Sequence, residues 1–346
     1  MPRYFFVQPQ VERPVGGVNV TLQMIDILQD AGYDAYPLYS EESYRYDFFN
    51  SSRQSYYHPP LRKIDYDLLG RYGKVKKFAN DLVNLRKTSY NQRLDLRPDD
   101  VVILPEFIYD KYHAIFSDQR LIISVQSVFA LWRALRRDKA AGTDILRKFE
   151  AAVTISTATT DCVKNLTDLR FHEVSQSISS IHLDPSRKKL KQIAYMPRKR
   201  KQEVDLFLGC IRDLPVFQGW TFRAIDNAPL DEVARILSES LVFLSFSEME
   251  GFGLPPAEAM AAGCVVIGYT GVGGEEFFAE DASIPIADRD IVAFATALQN
   301  TVAEYDRDPS RLDAMRLRAA ERIARRYNPD TMRASLLEAW KEIEKR

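Results

Sequence analysis

Residues Leu241–Phe278 read LVFLSFSEMEGFGLPPAEAMAAGCVVIGYTGVGGEEFF, and their pattern decides the fold. Leu241–Phe246 is an apolar run with the length and residue types of a strand buried on both faces, as strands of parallel sheets are. A polar loop follows. Pro255-Pro256 then sets up a helix, because proline at the first helical position loses only an amide hydrogen that lacks a partner anyway. Ala257–Ala262 continues it, Gly263 stands where it ends, and Cys264–Tyr269 is the next apolar strand.

The result is a β-loop-α-β unit whose loop, Glu248–Leu254, lies at the carboxyl end of a strand and the amino end of a helix, where open α/β sheets bind ligands. Helix amino termini carry unpaired amides and a partial positive charge, which suit a phosphate. Gly251 and Gly253 let the backbone approach an anion closely, so a diphosphate is the natural guest. Glu250 precedes the glycines and Glu258 lies in the first turn of the helix, eight positions on. Both are expected to accept hydrogen bonds from sugar hydroxyls rather than to touch phosphate. The plainer reading, a tight packing turn with a favourable first-turn acid, accounts for Glu258 but not for Glu250 and both glycines together.

The run E-G-F-G-L-P-P-A-E-A-M-A-A-G resembles the E-x7-E signature of retaining, nucleotide-sugar-dependent glycosyltransferases of the GT-B architecture, the large bacterial family 4. The resemblance implies an α/β fold of two Rossmann-like domains facing each other across a cleft. It places Glu250 on the donor sugar and Glu258 on the ribose, with Gly251, Phe252, Gly253 and Leu254 around the donor.

Elsewhere the chain sets bounds. Its 346 residues suit two domains of about 150 residues each. With 46% hydrophobic and 27% charged residues and a net charge of −1, no global field draws it to nucleic acid or membrane. No apolar run approaches the roughly 18 residues needed to span a bilayer, and Met1–Val7 reads as a strand rather than a signal peptide. Cys162, Cys210 and Cys264 have no metal-type spacing and suit a reducing compartment, so the cytoplasm is the expected setting.

Tyr4–Val7 is followed by a loop ending in Gly16-Gly17, then by a helix with Val18, Leu22, Ile25 and Leu28 on one face and by a strand at Ala35–Leu38. In this setting Gly16 and Gly17 resemble the first loop of the amino-terminal GT-B domain, which reaches the donor phosphate or the acceptor. Residues 42–97 are rich in tyrosine and hold twelve Arg/Lys against six Asp/Glu. They read as a solvated surface, with an acceptor-binding or peripheral membrane-facing surface as the alternative. His58, His113, His172 and His182 read as surface or packing residues.

Asp100–Leu104, Leu121–Val125 and Ala151–Ser156 are strands; Thr157–Asp161 reads as a turn and Cys162–Leu169 as a helix. Relatives carry a histidine near the reacting sugar after the second of these strands; here Gln126 stands there, able to hydrogen-bond but not to act as a base. Around Val174–Pro185 the pattern loosens into an interdomain linker. Gln192–Tyr195 is a strand running into Arg198-Lys199-Arg200-Lys201, which is either a solvated loop or a diphosphate clamp. Relatives place an Arg and a later Lys on the diphosphate. Arg198 maps well, and Lys199 is favoured over Lys201 although Pro197 replaces the usual glycine.

Helices follow at Val204–Ile211 and at Asp231–Ser238, the latter with Asn227 or Asp231 as its cap, and a strand lies between them at Trp220–Ile225. Gly271–Glu276 is a second glycine-rich loop in which Gly273 and Gly274 correspond to a segment that closes over the donor in relatives. The domains expected are 1–175, an acceptor-side half; 176–328, a nucleotide-sugar half; and 329–346, a helix crossing back. The function implied is transfer of a sugar from a nucleotide diphosphate sugar to a hydroxyl of a glycan or lipid-linked acceptor. No cofactor is expected, and no Asp-x-Asp motif serves a metal. A non-catalytic nucleotide-sugar-binding module and a sugar epimerase are the alternatives; four scattered histidines speak against the epimerase.

Overall fold

The computed structural model describes residues 2–49, 53–68, 88–178 and 183–345; His182 and parts of 42–97 lie outside them. The chain divides into two compact units, residues 1–154 with 160–174 and 333–346, and residues 155–159 with 175–332. Each is a Rossmann-like α/β unit built on a parallel sheet.

In the first unit the strands are β1 (Arg3–Val7), β2 (Asp34–Tyr39), β3 (Tyr56–Tyr57), β4 (Gln92–Arg93), β5 (Val101–Pro105), β6 (Arg120–Val125), β7 (Ala151–Thr154) and β8 (Arg170–Glu173). Their order is β4-β3-β2-β1-β5-β6-β7-β8, with parallel neighbours throughout. The helices are α1 (Gly16–Asp30), α2 (Pro59–Leu68), α3 (Tyr109–Tyr112), α4 (Val128–Ala140) and α5 (Thr157–Leu166). Phe5, Val102, Leu104, Ile123 and Ala152 line the core under them, all essentially inaccessible to solvent.

Two local readings change. Gly16-Gly17 opens α1 instead of closing a loop. The threonine-rich stretch expected as a turn is already helical from Thr157, because Ser156 Oγ accepts from the Thr159 amide at 3.2 Å and supplies the cap. Of the described tyrosines of 42–97, Tyr44 and Tyr46 brace the loop before α1, while Tyr90 is exposed: Tyr44 Oη receives the Val11 amide, and Tyr46 Oη receives the Val15 amide and donates to Asn19. His58 and His172 are half-buried, which lowers their basicity.

The second unit holds β9 (Leu190–Tyr195), β10 (Thr221–Ala224), β11 (Ser240–Phe246), β12 (Val265–Tyr269) and β13 (Ile284–Ile286), in the parallel order β10-β9-β11-β12-β13. Every residue of β11 and β12 is buried, as a central parallel strand requires. The helices are α6 (Lys201–Ile211), α7 (Leu230–Glu239), α8 (Leu254–Ala261), α9 (Ile291–Arg307), α10 (Ser310–Arg326) and α11 (Pro329–Glu344). Pro229, not Asn227 or Asp231, caps α7, and Asn227 sits in a left-handed turn with φ 48°. Buried Lys189 donates to the carbonyls of Leu237, Ser238 and Ala262, satisfying the carboxyl ends of α7 and α8 with one ammonium.

Residues 333–346, the greater part of α11, belong to the first unit. There Trp340 stacks on Phe6 with ring centroids 5.6 Å apart and meets Tyr4 edge-on, while Tyr4 Oη donates to Glu344. Among the described residues no helix is long and apolar enough to cross a membrane.

Candidate functional site

The loop from β11 to α8 is shaped by two left-handed residues. Met249 takes φ 49°, an unusual conformation for a side chain without a local polar group, and turns Glu250 off the end of the strand. Gly253, with φ 98°, is the residue before the helix, where glycine is accommodated without strain. The helix therefore starts at Leu254 rather than at Pro255. The prolines take its second and third positions and strip two amide hydrogens from the first turn. Anion-binding capacity shifts to the loop: among the described residues nothing accepts from the amides of Gly251, Phe252 or Gly253.

A second loop packs against the first. The Gly273 amide donates to Glu250 O at 3.1 Å. A Cβ on Gly273 would lie 2.2 Å from Gly251 O, so only a glycine lets these backbones meet there. Gly271 is left-handed, with φ 58°.

The charged groups fall into three kinds. Lys199 Nζ lies 2.5 Å from Glu250 Oε1, with the two side chains 38% and 21% exposed. The structure thus brings Lys199 to the motif loop, whereas Lys201 begins α6 and is exposed, as is Arg198. Arg200 belongs to neither a solvated loop nor a clamp. It is 8% exposed, pairs with Glu203 at 3.0 Å and with Asp288, and lies over the Tyr269 ring at 4.8 Å. Glu258 is half-buried on α8 without a hydrogen-bond partner among the described residues, and desolvation pushes its carboxyl up to about 7.

The Phe252 ring is buried against Phe277 and Tyr327, so its backbone is what it offers a ligand. Of the three Asp-x-Asp spacings in the sequence, those at 288–290 and 306–308 are occupied structurally. Asp288 holds Arg200, Asp290 caps α9 at Ala293, Asp306 receives Trp220 Nε1, and Asp308 receives the Ser310 amide.

Gly16, Gly17 and Gln126 lie in the first unit, at the carboxyl ends of β1 and β6. Gln126 Nε2 donates to Thr21 Oγ1 at 2.8 Å, and Thr21 Oγ1 donates to Gly17 O at 3.0 Å. A Cβ on Gly17 would stand 2.7 Å from Gln126 Oε1, so this glycine makes room for the glutamine amide.

The second unit also carries a recognisable family pattern. Residues 195–338 match a family model described as glycosyl transferase-like. An alpha-1,6-glucosyltransferase of Actinobacillus pleuropneumoniae serotype 7 (strain AP76) is 26% identical over 219 residues, which cover 61% of this chain and 66% of the relative. Among solved structures, a mutant of S. aureus TarM in complex with fondaparinux, alpha-GlcNAc-glycerol and UDP aligns over 100% of both chains with a TM-score of 0.68 at 10% identity. Sucrose-phosphate synthase of Thermosynechococcus elongatus aligns over 99% of both chains, with a TM-score of 0.65 at 15% identity. Anabaena Alr3699/HepE in complex with UDP and glucose covers 99% of this chain and 100% of that one, with a TM-score of 0.63 at 12% identity. The likeness to these solved structures shows the GT-B fold.

Three supporting residues escaped the sequence reading. Ser156 Oγ donates to Gly251 O at 2.6 Å and so anchors the glycine loop. Glu276 accepts from the Thr157 amide and from Tyr327 Oη, tying the second loop down. In the first unit Glu106 is 4% exposed, faces the amides of Gln126 and Ser127, and is pushed up to about 7 by burial. A serine before a threonine-rich helix is a legible cap, but nothing local announces its second bond to Gly251. Glu276 and Glu106 act through partners far along the chain.

Proposed function

We propose that this chain is a retaining, family 4-type glycosyltransferase that moves a sugar from a nucleoside diphosphate sugar to a hydroxyl of a glycan or lipid-linked acceptor, in polysaccharide or glycan assembly. The observation that carries the reading is the meeting of Lys199 and Glu250 at a glycine loop whose amides have no acceptor among the described residues, with Glu258 on the short helix that follows. The alpha-1,6-glucosyltransferase relative and the neighbours bound to UDP make a UDP-sugar, glucose first, the donor to try.

The chemical problem is a dianionic leaving group departing while positive charge builds on the sugar. Fixed donors aimed at that leaving group lower the barrier, because they need no reorganisation as charge develops. Arg198, Lys199 and the amides of Gly251–Leu254 are assigned to the diphosphate, Glu250 to the sugar hydroxyls and Glu258 to the ribose. With those cations in place, transfer proceeds without a divalent metal. Gln126 is assigned to hydrogen-bonding the acceptor, a task an amide performs without serving as a base. The acceptor proton then passes to the departing phosphate oxygen, and attack occurs on the face the nucleotide leaves.

The test is release of free nucleotide from UDP-, GDP-, ADP- and dTDP-sugars, with and without acceptor and with EDTA. Acceptor-dependent release that survives EDTA is expected. Glu250→Gln should lower turnover about 100-fold or more, the scale for losing a group that stabilises a transition state, while nucleoside diphosphate affinity survives. Intact activity in that variant would remove Glu250 from the sugar; binding without turnover in the parent chain would leave a binding module.

A further inference from the structure

Glu250 is held at both levels, but differently. Its backbone is fixed by the left-handed Met249 before it and by the Gly273 amide on its carbonyl. Its carboxylate is held by Lys199, at 2.5 Å. The lysine backbone is fixed in turn by its neighbour Arg200, which is buried and paired with Glu203 and Asp288. Two rigid stems thus present one ion pair whose only freedom lies in the side chains. The pair is partly exposed, and such pairs are weak and readily exchanged. Beside it, the loop amides of Gly251–Gly253 have no acceptor among the described residues.

We propose that Lys199 and Glu250 are an exchange pair: a bound diphosphate draws the ammonium away from Glu250, and the released carboxylate is the one that engages the donor's sugar. The inference rests on the nucleotide-sugar reading and adds a coupling to it. A diphosphate carries more charge than one carboxylate and brings the free amides into play, so it wins the ammonium. A carboxylate that has lost its cation needs new donors, and sugar hydroxyls supply them. Glu250 is therefore unready for the sugar until the diphosphate is seated, and Lys199 is its positioning residue. Because coupling is reciprocal, Glu250 competes with the diphosphate for Lys199, and removing its charge must strengthen nucleoside diphosphate binding.

Calorimetry on the full chain with UDP, GDP, ADP and dTDP as separate probes tests this, with melting curves confirming that each variant is folded. For whichever nucleotide the parent binds, Glu250→Gln should bind about three- to tenfold tighter and Lys199→Met at least about tenfold weaker. In the double variant Glu250→Gln should add nothing to Lys199→Met. Unchanged or weaker binding by Glu250→Gln overturns the exchange. Tightening that persists without Lys199 also overturns it, since a through-space charge effect would then suffice. Failure of the parent and both variants to bind any of the four nucleotides overturns the nucleotide-sugar reading, and the exchange falls with it; binding by the parent with no tightening sinks the exchange alone.

Discussion

The carboxyl-end loops of the two units start from the same plan, a parallel strand, a glycine-bearing turn and a helix, and differ in their side chains. In the first unit the side chains satisfy one another, Gln126 donating to Thr21, Thr21 to Gly17, and Glu106 facing the amides of Gln126 and Ser127, while the Gly16 and Gly17 amides have no acceptor among the described residues. In the second, an ammonium and a carboxylate meet at the surface, three successive amides are unclaimed among the described residues, and Glu258 stands desolvated without a described partner. Desolvated polar groups cost stability unless something completes them. Both loops carry glycines with unclaimed amides among the described residues; the surface ion pair and the unpartnered Glu258 mark the second loop as the place that awaits a ligand.

The glycines offer the sharpest way to break this comparison. Gly273→Ala drives a methyl into the backbone carbonyl of Gly251, which has no rotamer to escape by. It should cost about 1–3 kcal/mol of stability, as overpacking does, and abolish measurable nucleoside diphosphate binding; a variant that binds normally would show that the two loops need not touch. Gly17→Ala meets only the tip of the Gln126 side chain, which can swing aside, so its melting temperature should stay within about 2 °C of the parent.

Arg198→Ala tests the exposed cation beside the ion pair. It should weaken nucleoside diphosphate binding by about 1.5–3 kcal/mol, the scale for a hydrogen bond to a charged group. Unchanged affinity by calorimetry would remove Arg198 from the diphosphate and leave Lys199 alone there.

Glu258 gives a small effect with the most specific sign. Desolvation raises its carboxyl from the ordinary 4.5 to about 7 in the folded chain. Its neutral form is the one the fold favours, so its contribution to stability is full below about pH 4.5 and is lost as pH rises through about 7. Glu258→Gln should therefore melt close to the parent at about pH 5 and a few degrees above it at about pH 8 without nucleotide. An equal shift at both pH values would mean that Glu258 is not desolvated in the free protein.

How much of this the sequence announces depends on the range over which each signal acts. The β11-loop-α8-β12 unit is legible because its information is local: a buried run, two glycines, two prolines and a glycine stop within about thirty residues. Glu250 and Glu258 stand out for the same reason, whereas Lys199 is favoured through the family resemblance and meets a Glu250 that lies 51 positions along the chain. Arg200 does not stand out, since Asp288, which pairs with it, lies 88 positions away. That the Phe252 ring packs on Phe277 and Tyr327 is not legible either, since nothing near it foretells those partners. The helix starts one residue earlier than the prolines suggest, a small difference in register with a chemical result, for it transfers the anion-binding amides from the helix to the loop.

The placement of Trp340 bears on how the chain is made. Tyr4 and Phe6 leave the ribosome early, yet the indole they pack against is encoded more than three hundred residues later, beside the Glu344 that lies 340 positions from Tyr4. The amino-terminal core must wait, with an unfilled site for a tryptophan, throughout synthesis of the second unit, and it closes only after that unit has emerged.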